Sequence, residues 1–128
     1  MEWTVERRGE ILLQAMVTDT FLSWLRSMTH DPLVAQLDPY RDTTLDRIAQ
    51  DRWLAALRSA RAALERALRE ACEARVRLAR DPEVRAQILT RLVAQEARND
   101  PRWTTAMELD ALLELARESD AYVRVIGD

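Results

Sequence analysis

The sequence predicts an all-α fold: a single-domain bundle of about five helices, residues 1–128, built around one long central helix. Three observations predict it. A stretch from Thr43 to Asp81 contains neither glycine nor proline and concentrates alanine and leucine on one face. All four prolines follow aspartate, as Asp31-Pro32, Asp38-Pro39, Asp81-Pro82 and Asp100-Pro101. Aspartate accepts hydrogen bonds from the free amides of a helical first turn, and proline at the first helical position has no amide to leave unsatisfied. Proline also drives the residue before it out of the helical region, so each pair marks a stop and a start. Finally, Thr43 with Asp46 and Thr105 with Glu108 have capping-box spacing.

The elements follow in order. Thr4 to Thr29 reads as a first helix, with Ile11, Leu12, Met16, Phe21, Leu22, Trp24, Leu25 and Met28 spread around its circumference. Such breadth implies burial on several sides or against a partner. Asp31-Pro32 opens a short turn of helix through Leu37, which Asp38-Pro39-Tyr40 breaks. The Thr43 box opens the central helix, Thr44 to Arg80, which at about 1.5 Å per residue spans about 55 Å. Asp81-Pro82 opens a fourth helix to Ala97, with Val84, Ile88, Leu89, Leu92 and Val93 inward. The Thr105 box opens a fifth, Ala106 to Glu118. Ala121 to Ile126 is rich in β-branched and aromatic residues and reads as a short strand, or as an extended tail that pairs with a neighbouring chain. With no second strand in evidence, the class stays all-α.

Composition narrows the function. The chain is 48% hydrophobic and 32% charged with a net charge of -3, which fits a globular domain and argues against general attraction to polyanions. One cysteine, Cys72, excludes an internal disulfide and a cysteine zinc cluster, and His30 alone cannot supply an ordinary zinc site. Two glycines, Gly9 and Gly127, cannot build a phosphate-cradling loop, and no Glu-x-x-His motif exists for a di-iron bundle. No metal and no cofactor is therefore expected. Arg7-Arg8 before Ile11-Leu12-Leu13 is a faint secretory pattern, but the apolar run ends at Asp19 with no small-residue cleavage site. No uncharged stretch reaches the roughly 18 residues of a membrane span. The expectation is a soluble, cytoplasmic protein.

On the central helix, Trp53, Leu54, Leu57, Leu64, Leu68 and Leu78 share a face with a ridge of alanines, which invites close approach of another helix. Arg58, Arg66, Arg69, Arg77 and Arg80 occupy the other face, interleaved with Glu65, Glu70 and Glu73. From Asp51 to Arg80, eight arginines against four acids leave +4, while Met107 to Asp128 carries two arginines and six acids, leaving -4. The arginines are a candidate phosphate-binding face. The competing reading pairs Arg61 with Glu65, Glu65 with Arg69, Arg66 with Glu70 and Glu73 with Arg77, which supports an exposed helix and binds nothing. Arg75 and Arg61 fall on or beside the apolar arc, where an unpaired guanidinium is too costly. Asp110, Glu114 and Glu118 share one ridge of the fifth helix and are their natural acidic counterpart, within the fold or on a second copy.

These residues predict a non-catalytic binding or assembly module, a subunit of a larger complex that pairs with a protein partner or with itself. The alternative is an accessory subunit tracking a nucleic-acid backbone with Arg58, Arg66, Arg69, Arg77 and Arg80. By size and class the chain resembles the small helical subunits of CRISPR effector complexes, which implies such a role. A second alternative uses Arg26 and His30, one helical turn apart. That pair resembles the Arg-x-His arrangement of helical ribonucleases, with histidine as acid/base and arginine steadying phosphate charge. Its three intervening residues are fewer than that family's spacing.

Overall fold

The computed structural model describes residues 1–128 and overturns the all-α expectation, because a four-stranded antiparallel sheet accompanies five helices. The order along the chain is β1 (Glu2–Arg7), β2 (Glu10–Met16), α1 (Asp19–Met28), α2 (Pro32–Ala35), β3 (Thr43–Leu45), α3 (Arg47–Arg75), α4 (Pro82–Asn99), α5 (Pro101–Glu118) and β4 (Tyr122–Ile126). The strands lie in the order β2-β1-β4-β3. The class is mixed α and β, with helices against one face of the sheet.

The expected first helix is where the correction is largest. Its first half is a hairpin, in which Arg7 pairs with Glu10 across the two-residue turn Arg8-Gly9. Both turn residues have positive φ, 53° and 81°, the conformation that matches the natural twist of paired strands. Glycine adopts it freely, whereas arginine at Arg8 is held there by the pairing on either side. Helix begins only at Asp19, after the Thr18 hydroxyl accepts a hydrogen bond from the Phe21 amide (3.1 Å).

The tail is likewise a strand, and it lies inside the sheet. β4 pairs with β1 through Trp3↔Val125 and Val5↔Val123, and with β3 through Leu45↔Val123. Residues directly opposite one another share a face, so Trp3, Val5, Leu45, Val123 and Val125 form one apolar surface. All five are buried in a core with Leu22 and Leu25 of α1, Trp53 and Leu57 of α3, and Leu109, Leu112 and Leu113 of α5. Trp3 and Trp53 meet edge to face at its centre, with ring centroids 4.9 Å apart and planes at 78°.

Aspartate begins the helices as expected, with one exception. Asp31, Asp81 and Asp100 each accept a hydrogen bond from the second residue beyond them, with proline first in the helix. Asp38-Pro39 opens no helix, and Asp38 accepts instead from the Tyr40 amide (2.9 Å). α3 is capped by Asp46 rather than Thr43, which belongs to β3, and α5 begins at Asp100-Pro101 rather than at Thr105. α5 ends with Asp120 in a left-handed conformation (φ 49°), while the Ala121 amide bonds back to the Ala116 carbonyl (2.9 Å), turning the chain into β4. Gly127 then passes so close to the Tyr40–Arg41 backbone that a Cβ would lie 2.4 Å from the Arg41 nitrogen.

Two polar groups tie these layers together. Gln50, buried on α3, donates to the carbonyls of Leu45 (3.0 Å) and Ala121 (3.1 Å), joining the helix to the chain beside β3 and β4. Replacing it leaves buried acceptors unpaired, so Gln50→Leu is expected to destabilise by about 1–3 kcal/mol in urea unfolding. Asp100 binds Arg102 through both carboxylate oxygens (3.0 and 2.7 Å), and Arg102 sits over the Trp24 ring of α1.

The Arg102 hydrogen bonds, helped by the Arg102 and Trp103 amides and opposed by burial, hold the Asp100 carboxyl below its ordinary value of 3.8. A depressed carboxyl pKa stabilises the fold fully above about pH 4 and ceases to as pH falls through the folded value. Asp100→Asn keeps an oxygen for the cap but removes the charge. That variant is expected to lose about 0.5–1 kcal/mol at neutral pH and to show a flatter decline in thermal stability below about pH 4.

Candidate functional site

α3 is two helices in environment, though one in backbone. Its first half buries Trp53, Leu54, Ala56, Leu57, Ala60 and Leu64, whereas Cys72 is the one buried residue between Glu65 and Arg75. That outer half extends about 16 Å at roughly 1.5 Å per residue, and Arg75 at its end pairs with Glu96 of α4. The first half of α4 is equally bare, with Leu89 half-buried and every other residue from Pro82 to Thr90 exposed. Cys72 and Val76 of the α3 end and Val93 and Ala97 of α4 are buried, yet none belongs to the main core. The two half-helices form an arm reaching out from the body of the molecule.

The arm exposes apolar surface. Leu78, between the helices, is 94% exposed, and Val84 and Ile88 are 45% and 39% exposed. At about 100° per residue Val84 and Ile88 lie on the side of α4 away from Leu89, Val93 and Ala97. Ala67, Ala71 and Ala74 are exposed along α3. At the tip, Glu70, Glu73 and Arg77 line an open cleft of about 680 Å³ together with Val76, Arg85 and Leu89. Arg85 caps the turn by donating to the Ala79 carbonyl (2.9 Å).

The arginines divide into two groups. Nearer the core, α3 is ion-paired to α5. Arg58 reaches Asp110 (3.1 Å) and Glu114 (2.6 Å), and these hydrogen bonds, Asp110's first, raise the guanidinium pKa. Arg61 lies 3.4 Å from Asp110 and over the Trp103 ring. Arg117 Nη1 donates to Glu114 (3.4 Å), and its Nε lies 2.8 Å from Asp51, an ion pair at an angle too poor for a hydrogen bond. Asp110 and Glu114 therefore meet Arg58, Arg61 and Arg117 inside the chain. Glu118 is exposed and has no cation within pairing distance. No group of three or more His, Cys, Asp or Glu side chains is gathered where it would hold a metal ion.

Arg66, Arg69, Arg77 and Arg80 are exposed, and no carboxylate lies within 4.0 Å of any of them. None of the four pairings expected between these arginines and glutamates on α3 is closed. Arg75 also differs from expectation. It is 57% exposed and pairs with Glu96 of α4 (3.0 Å), because the core that the helical wheel placed around it has already ended at Ala60.

Arg26, half-buried, donates to the Leu37 carbonyl and ties α1 to the chain after α2, while His30 is exposed beyond the end of α1 and makes no side-chain hydrogen bond.

The sheet adds a feature that sequence reasoning missed. β2 is an edge strand with Ile11, Leu12, Leu13 and Met16 all exposed. The available signal was Trp3-Thr4-Val5, rich in strand-forming types, followed by a glycine and a second apolar run. No helix is long and apolar enough to cross a membrane.

No protein-family model matches the chain, and comparison with curated proteins and with solved structures gave no match. The resemblance to small CRISPR effector subunits rested on an all-helical class, which the sheet replaces.

The division of the acids is testable. Asp110→Ala leaves Arg61 without a carboxylate and Arg58 with Glu114 alone, and is expected to cost about 1 kcal/mol in urea unfolding. Glu118→Ala should stay within about 0.5 kcal/mol of wild type.

Proposed function

We propose that the protein is a non-catalytic binding and assembly module whose α3–α4 arm docks a protein partner. One observation carries the reading: a helical hairpin that leaves the core while still displaying Leu78, Val84 and Ile88 to solvent. An arm of two helices gains little from its own packing, and apolar side chains on its outside contribute only when something covers them. The chemistry of the covering surface follows from the rim. Arg66, Arg69, Arg77 and Arg80 lack carboxylates of their own, so the fitting partner is an amphipathic helix or helical hairpin whose apolar stripe is flanked by aspartate and glutamate.

The same four free arginines support a second reading, in which the arm follows a nucleic-acid backbone. The protein reading is favoured because the arm from Glu65 to Arg91 carries five acids among seven arginines, and because the apolar residues have no use against phosphates. Aromatic stacking platforms for single strands are also absent from this segment.

A tagged chain purified from its native host after nuclease treatment is expected to retain a protein partner. The double variant Val84→Asp, Ile88→Asp should lose it while keeping the circular dichroism of wild type, since both positions are exposed. Salt-dependent binding of an oligonucleotide, abolished when Arg66, Arg69, Arg77 and Arg80 become glutamine and indifferent to the aspartate variants, would replace the protein reading with the nucleic-acid one.

A further inference from the structure

We propose that the turn between α3 and α4 is a processing site, where an arginine-directed endoprotease hydrolyses the Arg77–Leu78 bond and leaves two pieces that stay together as one folded body. The inference uses the shape of the arm and needs no partner on it.

The chain has no lysine, so a protease that reads a basic side chain reads arginine. Arg8, Arg41, Arg77 and Arg80 are the arginines outside helices and strands. Enzymes that bind a peptide by its main chain take it extended, so the segment around the cut bond must open first. At Arg8 that means undoing the Arg7↔Glu10 pair and disturbing the strand that carries Trp3 and Val5 into the core. Arg41 is clamped. Gly127 presses against its backbone, the Asp128 amide donates to the Pro39 carbonyl (3.0 Å), and the Gly127 amide donates to the Asp42 carboxylate (3.0 Å).

The arm turn has no such clamp. No residue from Arg77 to Ile88 is buried. The Val76 amide donates to the Glu73 carbonyl (3.3 Å), the Ala79 amide to the Val76 carbonyl (3.0 Å), and the Arg85 guanidinium to the Ala79 carbonyl (2.9 Å). Giving up these bonds and the burial of Val76 frees the segment while the main core stays closed. Exposed turns of this kind are where nicking concentrates. Arg77 is better placed than Arg80. After Arg80 come Asp81, which caps α4 by accepting from the Glu83 amide (2.9 Å), and Pro82, which has no amide to offer an enzyme's cleft. After Arg77 come Leu78, 94% exposed, and Ala79.

Hydrolysis consumes one water. Its hydroxyl joins the Arg77 carbonyl carbon, the C–N bond breaks, and the Leu78 nitrogen takes the remaining proton. The new acid then passes its own proton to the new amine. A carboxylate now stands just past the C-terminus of α3 and an ammonium ahead of α4, each the wrong sign for the helix end it follows or precedes. The cut therefore loosens the arm. The body holds, because β4 of the second piece lies between β1 and β3 of the first. Leu109, Leu112 and Leu113 of α5 share one core with Trp3 and Trp53, and Arg58 stays paired with Asp110 and Glu114 across the break.

Brief treatment of the folded chain with trypsin, read by intact mass, tests the site. Pieces 1–77 and 78–128 are expected first, about tenfold ahead of cuts at any other arginine. The nicked chain should elute with wild type in native buffer and separate in denaturant, while amide exchange rises on the arm and not in the sheet. Arg77→Gln should slow the first cut about tenfold, and Arg77→Gln with Arg80→Gln should leave the arm whole. Both side chains are exposed, so neither variant touches the core. Chain recovered from its native host, and digested with an enzyme that does not cut at arginine, should yield a peptide beginning at Leu78. A first trypsin cut elsewhere, pieces that part in native buffer, or no native peptide beginning at Leu78 overturns the proposal.

Discussion

The pairing of β1 with β4 is the constraint on which the rest of the molecule depends. These strands come from opposite ends of the described chain, yet they occupy the centre of the sheet and carry Trp3, Val5, Val123 and Val125 on one face. That face is the floor on which α5 lies, and α5 is in turn the surface against which α3 and α1 pack. Without the pairing, Trp3 has no route to Trp53 and the helices have only each other. A contact of such sequence separation is entropically expensive to close. Its return is a core that engages strands and helices together.

The helices were largely legible in the sequence. Three of the four Asp-Pro pairs begin helices, since cap and missing amide act locally and need no information from elsewhere in the chain. The strands were not legible, for two different reasons. Leu12, Leu13, Gln14, Ala15 and Met16 are good helix formers, and an exposed edge strand shows no alternation of apolar and polar residues to contradict them. Val123 and Val125 do alternate, but their partners Trp3 and Val5 lie about as far away in sequence as the chain allows. The site was legible in part. The acidic ridge of α5 and its arginine counterpart were visible as opposite charge, whereas the choice of Arg58 over Arg75 depends on where the core stops, which no helical wheel contains.

That stopping point organises the charges. While α3 faces α5, its guanidiniums sit within reach of Asp110 and Glu114 and add to the cohesion of the body. Once α3 leaves α5 behind, Arg75 finds only Glu96 of α4, while Arg66 and Arg69 on α3, and Arg77 and Arg80 just beyond its end, stand in solvent without a carboxylate. One uninterrupted helix thus has an inner half that holds the protein together and an outer half available to something else. Neither the total arginine count nor the net charge separates the two.

The thinness of the arm has a consequence for how the protein opens. Its helices bury only Leu64, Cys72, Val76, Val93 and Ala97, all of them outside the main core. Local stability follows buried contact, so the molecule has two levels of cooperativity, with the outer helical turns opening while the sheet stays closed. A partner that covers the arm would raise the lower level toward the upper one, because a ligand of the ordered state stabilises it by mass action. Amide hydrogen exchange between Glu65 and Arg91 would then act as a gauge of occupancy, reading from the protein's own backbone whether its partner is present.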